Sequence, residues 1–252
     1  LRKEKEILMA KQYTEVARVC ERILQLGRPP VALARVPDVP AGVARFEGVA
    51  PSSCSFWRHA EQGLFVARDA DHMNCPIGAM TMGFELTAEA KAKLEGGLGL
   101  MTEVGYIDPK EAEHLPSLLP EGPLVLYGPL AQFPIEAEIA LMWLTPGQAM
   151  LLREATGDVA WKSDVASNLF GRPSCAALAV ASNEGNVALS FGCNGMRTFT
   201  QTDPSLMLAA VSGRLLSTLG ATLERADKAQ CAMQKFYDQQ QTFFPFTAKP
   251  VG

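Results

Sequence analysis

Val31-Ala-Leu-Ala-Arg-Val36 and Ile139-Ala-Leu-Met-Trp-Leu144 are the two stretches on which the fold turns. Each is a short apolar run, the pattern of a strand buried in a sheet. Each is followed by a proline-bearing segment, Pro40-Ala-Gly-Val-Ala-Arg-Phe-Glu47 in the first case and Pro146-Gly-Gln-Ala-Met-Leu-Leu-Arg-Glu154 in the second. Recurrence of this kind predicts two pseudo-repeated halves, approximately residues 28–95 and 135–200. The expected fold class is α+β: one domain over 1–252, with a mixed β-sheet flanked by N- and C-terminal helices.

Outward from these strands, apolar positions Val16, Val19, Ile23 and Leu26 recur at helical spacing, predicting a helix over 7–26 that Gly27-Arg-Pro-Pro30 stops. A short helix is expected over 41–46. Ser52 or Ser53 caps another through about 62, closed by Gly63, before a strand over 64–68. A helix over 87–95 then leads into a Gly- and Pro-rich connector, 96–134, which holds a helix at 109–114 and a strand at 124–127. The second half predicts a helix over 148–155, a strand over 159–167, a helix opening at Pro173-Ser174-Cys175 and a strand over 187–191. A C-terminal helical region, 204–241, is expected as helices over 204–219 and 221–241, with Phe243-Phe244-Pro245-Phe246 docked on the core.

Of 252 residues, 48% are hydrophobic, enough for a sizeable core. A net charge of -4 offers no basic footprint for nucleic acid. The longest apolar runs, such as 139–144 and 176–181, fall short of the roughly 20 residues that cross a bilayer. The first residues carry charges of both signs and lack the apolar centre of a signal peptide. The expectation is a cytoplasmic protein with no nucleic-acid or membrane partner. A homo-oligomer remains open.

Six cysteines without a secretory signal point to reduced thiols, metal ligation or catalysis rather than disulfides. Four of them follow a pattern. In each half a helix begins at cysteine, ends at glycine, feeds a strand and returns to cysteine: Cys54 and Cys75 in the first, Cys175 and Cys193 in the second. A helix of about ten residues covers roughly 15 Å, and an antiparallel strand brings the chain back over the same distance. If the halves pack about a pseudo-two-fold axis, all four sulfurs meet. Cys54 and Cys175, at helix starts, are expected to have lowered pKa values. Cys75 and Cys193 lie in turns beside Gly78, Gly192 and Gly195, where backbone N–H groups can donate to sulfur. Cys20 and Cys231, on helices outside the pattern, are assigned to packing.

His72, three positions before Cys75, is a candidate metal ligand or proton shuttle. A surface-loop histidine is the bland reading. His59 and His114 are read as surface residues. Arg197 in Cys193-Asn-Gly-Met-Arg197 is a candidate for binding a carboxylate or offsetting thiolate charge, and alternatively for pairing with a structural acid. Trp57 and Trp143 are read as core aromatics. No G-x-G-x-x-G opens a helix after a strand and no P-loop occurs; Gly96-Gly-Leu-Gly99 is read as a loop.

Cys54-Ser-Phe-Trp-Arg-His-Ala-Glu-Gln-Gly63, Asp71-His-Met-Asn-Cys-Pro-Ile-Gly78, Arg172-Pro-Ser-Cys-Ala176 and Ser190-Phe-Gly-Cys-Asn-Gly-Met-Arg-Thr-Phe-Thr200 resemble the motifs of the family catalogued as domain of unknown function number 169. The resemblance covers roughly 28–219 and places all four cysteines in motif blocks. It implies a bacterial or archaeal origin, often anaerobic, which suits an iron-sulfur site; it brings no established reaction.

The leading expectation is an iron-sulfur protein, with a 4Fe-4S cluster as cofactor held by Cys54, Cys75, Cys175 and Cys193. It would serve electron transfer with a partner, or Lewis-acid chemistry on a small-molecule substrate, with His72 and Arg197 as catalytic groups beside the cluster. The alternatives are a soft-metal protein binding zinc or copper, and a metal-free enzyme with Cys54 or Cys175 as nucleophile and His72 as base.

Overall fold

The computed structural model describes residues 2–108, 110, 115–118, 122–157, 169–170, 172–244 and 247. Among these, eight strands form one mixed sheet: β1 (Val31–Val36), β2 (Ala44–Arg45), β3 (Phe65–Arg68), β4 (Leu124–Pro129), β5 (Ile139–Leu144), β6 (Leu169–Phe170), β7 (Val187–Ser190) and β8 (Met207–Ser212). Their order across the sheet is β2-β3-β4-β1-β5-β8-β7-β6. β1 and β5 meet antiparallel in the middle, with Val31 opposite Leu141 and Leu33 opposite Ile139. On either side of that junction the next two pairings are antiparallel and the outermost is parallel.

The helices are α1 (Arg2–Leu24), α2 (Ser55–His59), α3 (Asp69–His72), α4 (Pro76–Thr81), α5 (Ala88–Glu103), α6 (Pro146–Thr156), α7 (Ala176–Glu184), α8 (Asn194–Thr200) and α9 (Leu216–Phe243). They cover both faces of the sheet. Ala32, Ala34 and Val36 of β1 point into a core shared with Val16 and Val19 of α1, Leu152 of α6 and Leu219 of α9. Val31 and Leu33 point the other way, toward Phe56 and Trp57 of α2 and Leu178 of α7. Every residue of β1, β4, β5 and β8 is buried. Burial on two faces explains why these strands read as continuous apolar runs rather than alternating ones. Each large aliphatic side chain so buried contributes roughly 1.5–3 kcal/mol.

β1 and β5 have the bounds their sequences predict, and the long α1 and α9 flank the sheet as expected. Four expectations are corrected. Residues 207–212, expected within a helix, form β8, because Met-Leu-Ala-Ala-Val-Ser fills the slot between β5 and β7 and is buried on both sides. Residues 41–46 form a turn and the exposed β2 rather than a helix, so this part of the echo between the halves fails. α5 does not stop at 95 but runs through Gly96-Gly-Leu-Gly99 to Glu103, started by the Thr87 hydroxyl accepting from the Ala90 N–H at 3.2 Å. Phe243 and Phe244 do not dock: they are 74% and 75% exposed. Residues 245–246, the expected strand 159–167 and all but residue 110 of the expected helix 109–114 lie outside the described residues.

One ion pair fastens the sheet to a helix that carries a cysteine. Arg35 of β1 donates to both carboxylate oxygens of Glu138, at 2.9 and 3.2 Å, and Ser182 of α7 donates to the same carboxylate at 2.9 Å. The Arg35 side chain is 1% exposed and that of Glu138 is 15% exposed. Removing one partner of such a pair strands a buried charge, at about 3–5 kcal/mol. Glu138→Ala is therefore expected to lose about that much stability in urea denaturation. Glu15→Ala, which breaks the exposed Arg18–Glu15 pair, should leave the midpoint measured the same way nearly unchanged.

Candidate functional site

All four patterned cysteines occupy helix N-cap positions. Cys54 precedes α2, Cys75 precedes α4 with Pro76 in the first turn, Cys175 precedes α7 and Cys193 precedes α8. The N-cap is where backbone N–H groups lack intrahelical partners. Cys193 uses one directly, its sulfur accepting from the Met196 N–H at 3.4 Å. The sequence anticipates helix starts at Cys54 and Cys175 but not the short helices α4 and α8, which glycines 78 and 195 disguise as turns.

The four side chains line one cavity of about 460 Å³ on the α2/α7 face of the sheet. The halves touch across it: Cys175 Sγ lies 3.4 Å from Thr81 Oγ1, on the helix that Cys75 starts. Ser52 Oγ is 3.0 Å from Cys54 Sγ. Ser174 accepts from the Cys193 N–H at 2.6 Å, fastening the start of α8 to the start of α7. Gly78 makes the fit at Cys75: a Cβ there would lie 2.5 Å from Ser53 Oγ and 3.1 Å from Cys75 Sγ.

Burial decides the protonation of two of these thiols. It pushes Cys54 up to about 12 and raises Cys175 as well, with the Ser52 and Thr81 hydroxyls offsetting only part of the rise. The expected lowering at a helix start is thus reversed, because desolvation of a thiolate outweighs the N–H groups of one helix end. The remaining cause is mutual: charge on Cys75 or Cys193 raises Cys54, and charge on Cys75, Cys193 or Cys54 raises Cys175. The four sulfurs thus lie near enough for charge on one to raise the pKa of another. Among the described residues, no three histidine, cysteine or acidic side chains are grouped as a single metal ion would need.

His72 and Arg197 lie elsewhere. His72, 1% exposed, packs against Phe56 and Phe84 with ring centroids at 4.7 and 5.0 Å. Its Nδ1 is 2.7 Å from the Arg68 carbonyl and its Nε2 is 3.0 Å from the Tyr127 hydroxyl. A carbonyl only accepts, so Nδ1 carries the proton and Nε2 accepts from tyrosine. Both nitrogens are thereby engaged away from the cavity wall. Arg197 donates to the carbonyls of Asp203 and Leu206, each at 3.1 Å, and to that of Phe191, pinning the chain on either side of α8. Of the other two cysteines, Cys20 is fully buried as expected. Cys231 is exposed, which corrects its assignment to packing: α9 has passed the domain body by that point.

Several lining residues have roles other than those the sequence suggests: Ser52 and Ser53, expected as helix caps, do not cap α2, whose N-cap is Cys54 with no side-chain cap hydrogen bond. Ser53, 4% exposed, has a hydroxyl without a hydrogen-bond partner among the described residues. Trp57 was read only as core. The apolar side of α5 was hidden by its glycines, although Leu94, Leu98 and Met101 keep helical spacing.

The fold and site together define an α+β protein whose doubly covered sheet supports a four-cysteine cavity. A family model described as uncharacterised ArCR, DUF169, matches residues 20–221. The chain belongs to that family. No curated protein and no solved structure matches the chain. Among the described residues, no helix is long and apolar enough to cross a membrane.

Burial lowers the His72 pKa to about 4 from 6.5. The folded state therefore resists a proton that the unfolded chain accepts. This stabilisation is complete above pH 6.5 and is lost as pH falls toward 4, a change of roughly 3 kcal/mol. Urea midpoints of the wild type should fall over that window. His72→Phe should flatten the dependence by one proton, although its midpoint at pH 7 will be lower because the Tyr127 hydroxyl loses its acceptor.

Proposed function

We propose that Cys54, Cys75, Cys175 and Cys193 hold an iron-sulfur cluster, of the 4Fe-4S type, used in redox or Lewis-acid chemistry on a small molecule. The observation that carries this is the lining of one cavity by four cysteines from four separate helix starts. Four thiolates are the donor set such a cluster takes, and a coordinated thiol is deprotonated outright, which removes the objection of a raised pKa. The Met196 N–H already on Cys193 is the kind of donor that tunes a cluster's potential.

Among the described residues no three donor side chains are grouped as a single ion needs, which supports a cluster over one zinc or copper ion. Around a single ion, with metal-sulfur bonds of about 2.3 Å, sulfurs must close to roughly 4 Å of one another. A cubane places an iron between each thiolate and the centre, so its thiolates stand further apart. The metal-free enzyme gains less support: Cys54 and Cys175 are held as thiols, and His72, the proposed base, has both nitrogens occupied.

The same reading takes the halves as repeats. The sheet order on either side of β1 and β5, and the sequence cysteine–helix–strand–cysteine in both halves, support a pseudo-two-fold arrangement that brings two cysteines from each side. In this reading Arg197 is a positioning residue for the Cys193 loop.

Protein purified without air should be coloured, with a broad visible absorption, and should contain iron and acid-labile sulfide. Substituting serine at each cysteine in turn should lower iron content for all four positions, whereas Cys20→Ser and Cys231→Ser should not. Gly78→Ala, which crowds Ser53 and Cys75, should lower iron content while leaving the circular dichroism of the sheet unchanged. Colourless protein with zinc, or with no metal and four titratable thiols, would overturn the reading.

A further inference from the structure

The cysteines form only part of the cavity wall. α5 contributes Leu94, Leu98 and Met101, three large apolar side chains on one helical face, half-buried because they look into the cavity. Ala90, on the same face nearer the helix start, is the α5 residue that is fully buried. Ile77 and Trp57 continue the apolar wall toward the cysteines. At about 460 Å³ the space far exceeds an ion and falls within the range of small-molecule sites. A metal centre alone therefore leaves most of it unexplained.

Polar groups around this space are few, and each restricts the occupant. The Ser53 hydroxyl is buried, lines the cavity and has no hydrogen-bond partner among the described residues, so it can serve one oxygen or nitrogen of a bound molecule. It lies at the cysteine end, beside the same point near Gly78 as Cys75 Sγ. Arg172 is the charged side chain of the lining; its guanidinium stacks 4.5 Å from the Tyr106 ring centroid and donates to the Tyr106 carbonyl. That cation at the rim disfavours a cationic ligand. The apolar lining, which cannot solvate a carboxylate, disfavours an anionic one.

We infer that the cavity binds a neutral, apolar organic molecule, its body against Leu94, Leu98 and Met101 of α5 and a single polar atom hydrogen-bonded to Ser53. This names the substrate class of the proposed cluster site, and rests on that proposal only for what happens at the cysteine end. Binding itself requires no metal. α5 carries Gly96, Gly97 and Gly99 at positions where a Cβ would meet nothing within 4 Å, so these glycines are not needed for packing. They loosen the helix that walls the site, because glycine is the poorest helix former after proline.

Isothermal titration calorimetry with 2-naphthol, 2-methylnaphthalene and 2-naphthoate tests this. 2-Naphthol should bind at least about tenfold more tightly than 2-naphthoate, with a negative heat-capacity change. Ser53→Ala should weaken 2-naphthol about tenfold and leave 2-methylnaphthalene unchanged. Leu98→Glu should weaken both neutral probes about a hundredfold, as a carboxylate enters an apolar wall. Met101→Glu provides the same test should Leu98→Glu fail to fold, and Ala92→Glu, exposed on the side of α5 turned away from Leu94 and Leu98, should have no effect. Tighter binding of 2-naphthoate, no binding of 2-naphthol, or indifference to both α5 substitutions would overturn the inference. The titrations are run on protein as purified without air and on protein stripped of iron by a chelator. Protein that is iron-free as purified without air yet binds 2-naphthol would sink the cluster while supporting this site; iron-bearing protein that binds 2-naphthol neither before nor after stripping would do the reverse.

Discussion

Desolvation of the central sheet constrains everything else in this protein. β1, β4, β5 and β8 are buried on both faces, so their surfaces cannot host an exposed or unpaired polar group without a large penalty. Arg35 is paired with Glu138 and Tyr127 with His72, whereas Trp143 Nε1 on β5 is buried with no hydrogen-bond partner among the described residues. Reactive side chains are pushed to where the chain leaves the sheet and begins a helix. That is where Cys54, Cys75, Cys175 and Cys193 sit, and it is why one face of an apolar sheet can end in a thiol-lined cavity.

The same constraint explains what the amino-acid order made legible. β1 and β5 were readable because six-residue runs that are apolar but for Arg35, bounded by turns, have few other solutions. β8 was not, because Leu208-Ala-Ala210 is good helix material and only its neighbours β5 and β7 make it a strand. α5 was cut short on paper by three glycines whose penalty, about 1 kcal/mol each, its flanking Ala, Lys and Leu residues outweigh. That both cysteine pairs line one cavity depends on how the halves pack; the return within each pair, a helix out and a strand back, was foreseeable from chain lengths. Their protonation was not, since burial cannot be read from spacing, and it reversed the direction expected for Cys54 and Cys175.

His72 and Arg197 carry a related lesson. Each stands close in sequence to a cavity cysteine, and each is turned to a structural task by partners far along the chain or on the backbone. Tyr127 of β4 holds one nitrogen of His72, and three carbonyls on either side of α8 hold Arg197. Proximity in sequence marks which loops surround a site; it does not say which way their side chains turn. Ser53, next to Cys54 and silent by composition, is the better placed of the polar neighbours.

The margins of the sheet are its shortest pieces. β2 and β6, the outermost strands, are two residues each and pair in parallel with their inner neighbours. A sheet with long bare ladders at its borders invites a second molecule to add on and continue the ribbon, whereas a two-residue stub offers too few N–H and C=O groups to template one. The chain can thus concentrate its most aggregation-prone segments at the centre of the sheet, each flanked by a covalently tethered neighbour, while the exposed Arg45 places a charge on the border at β2.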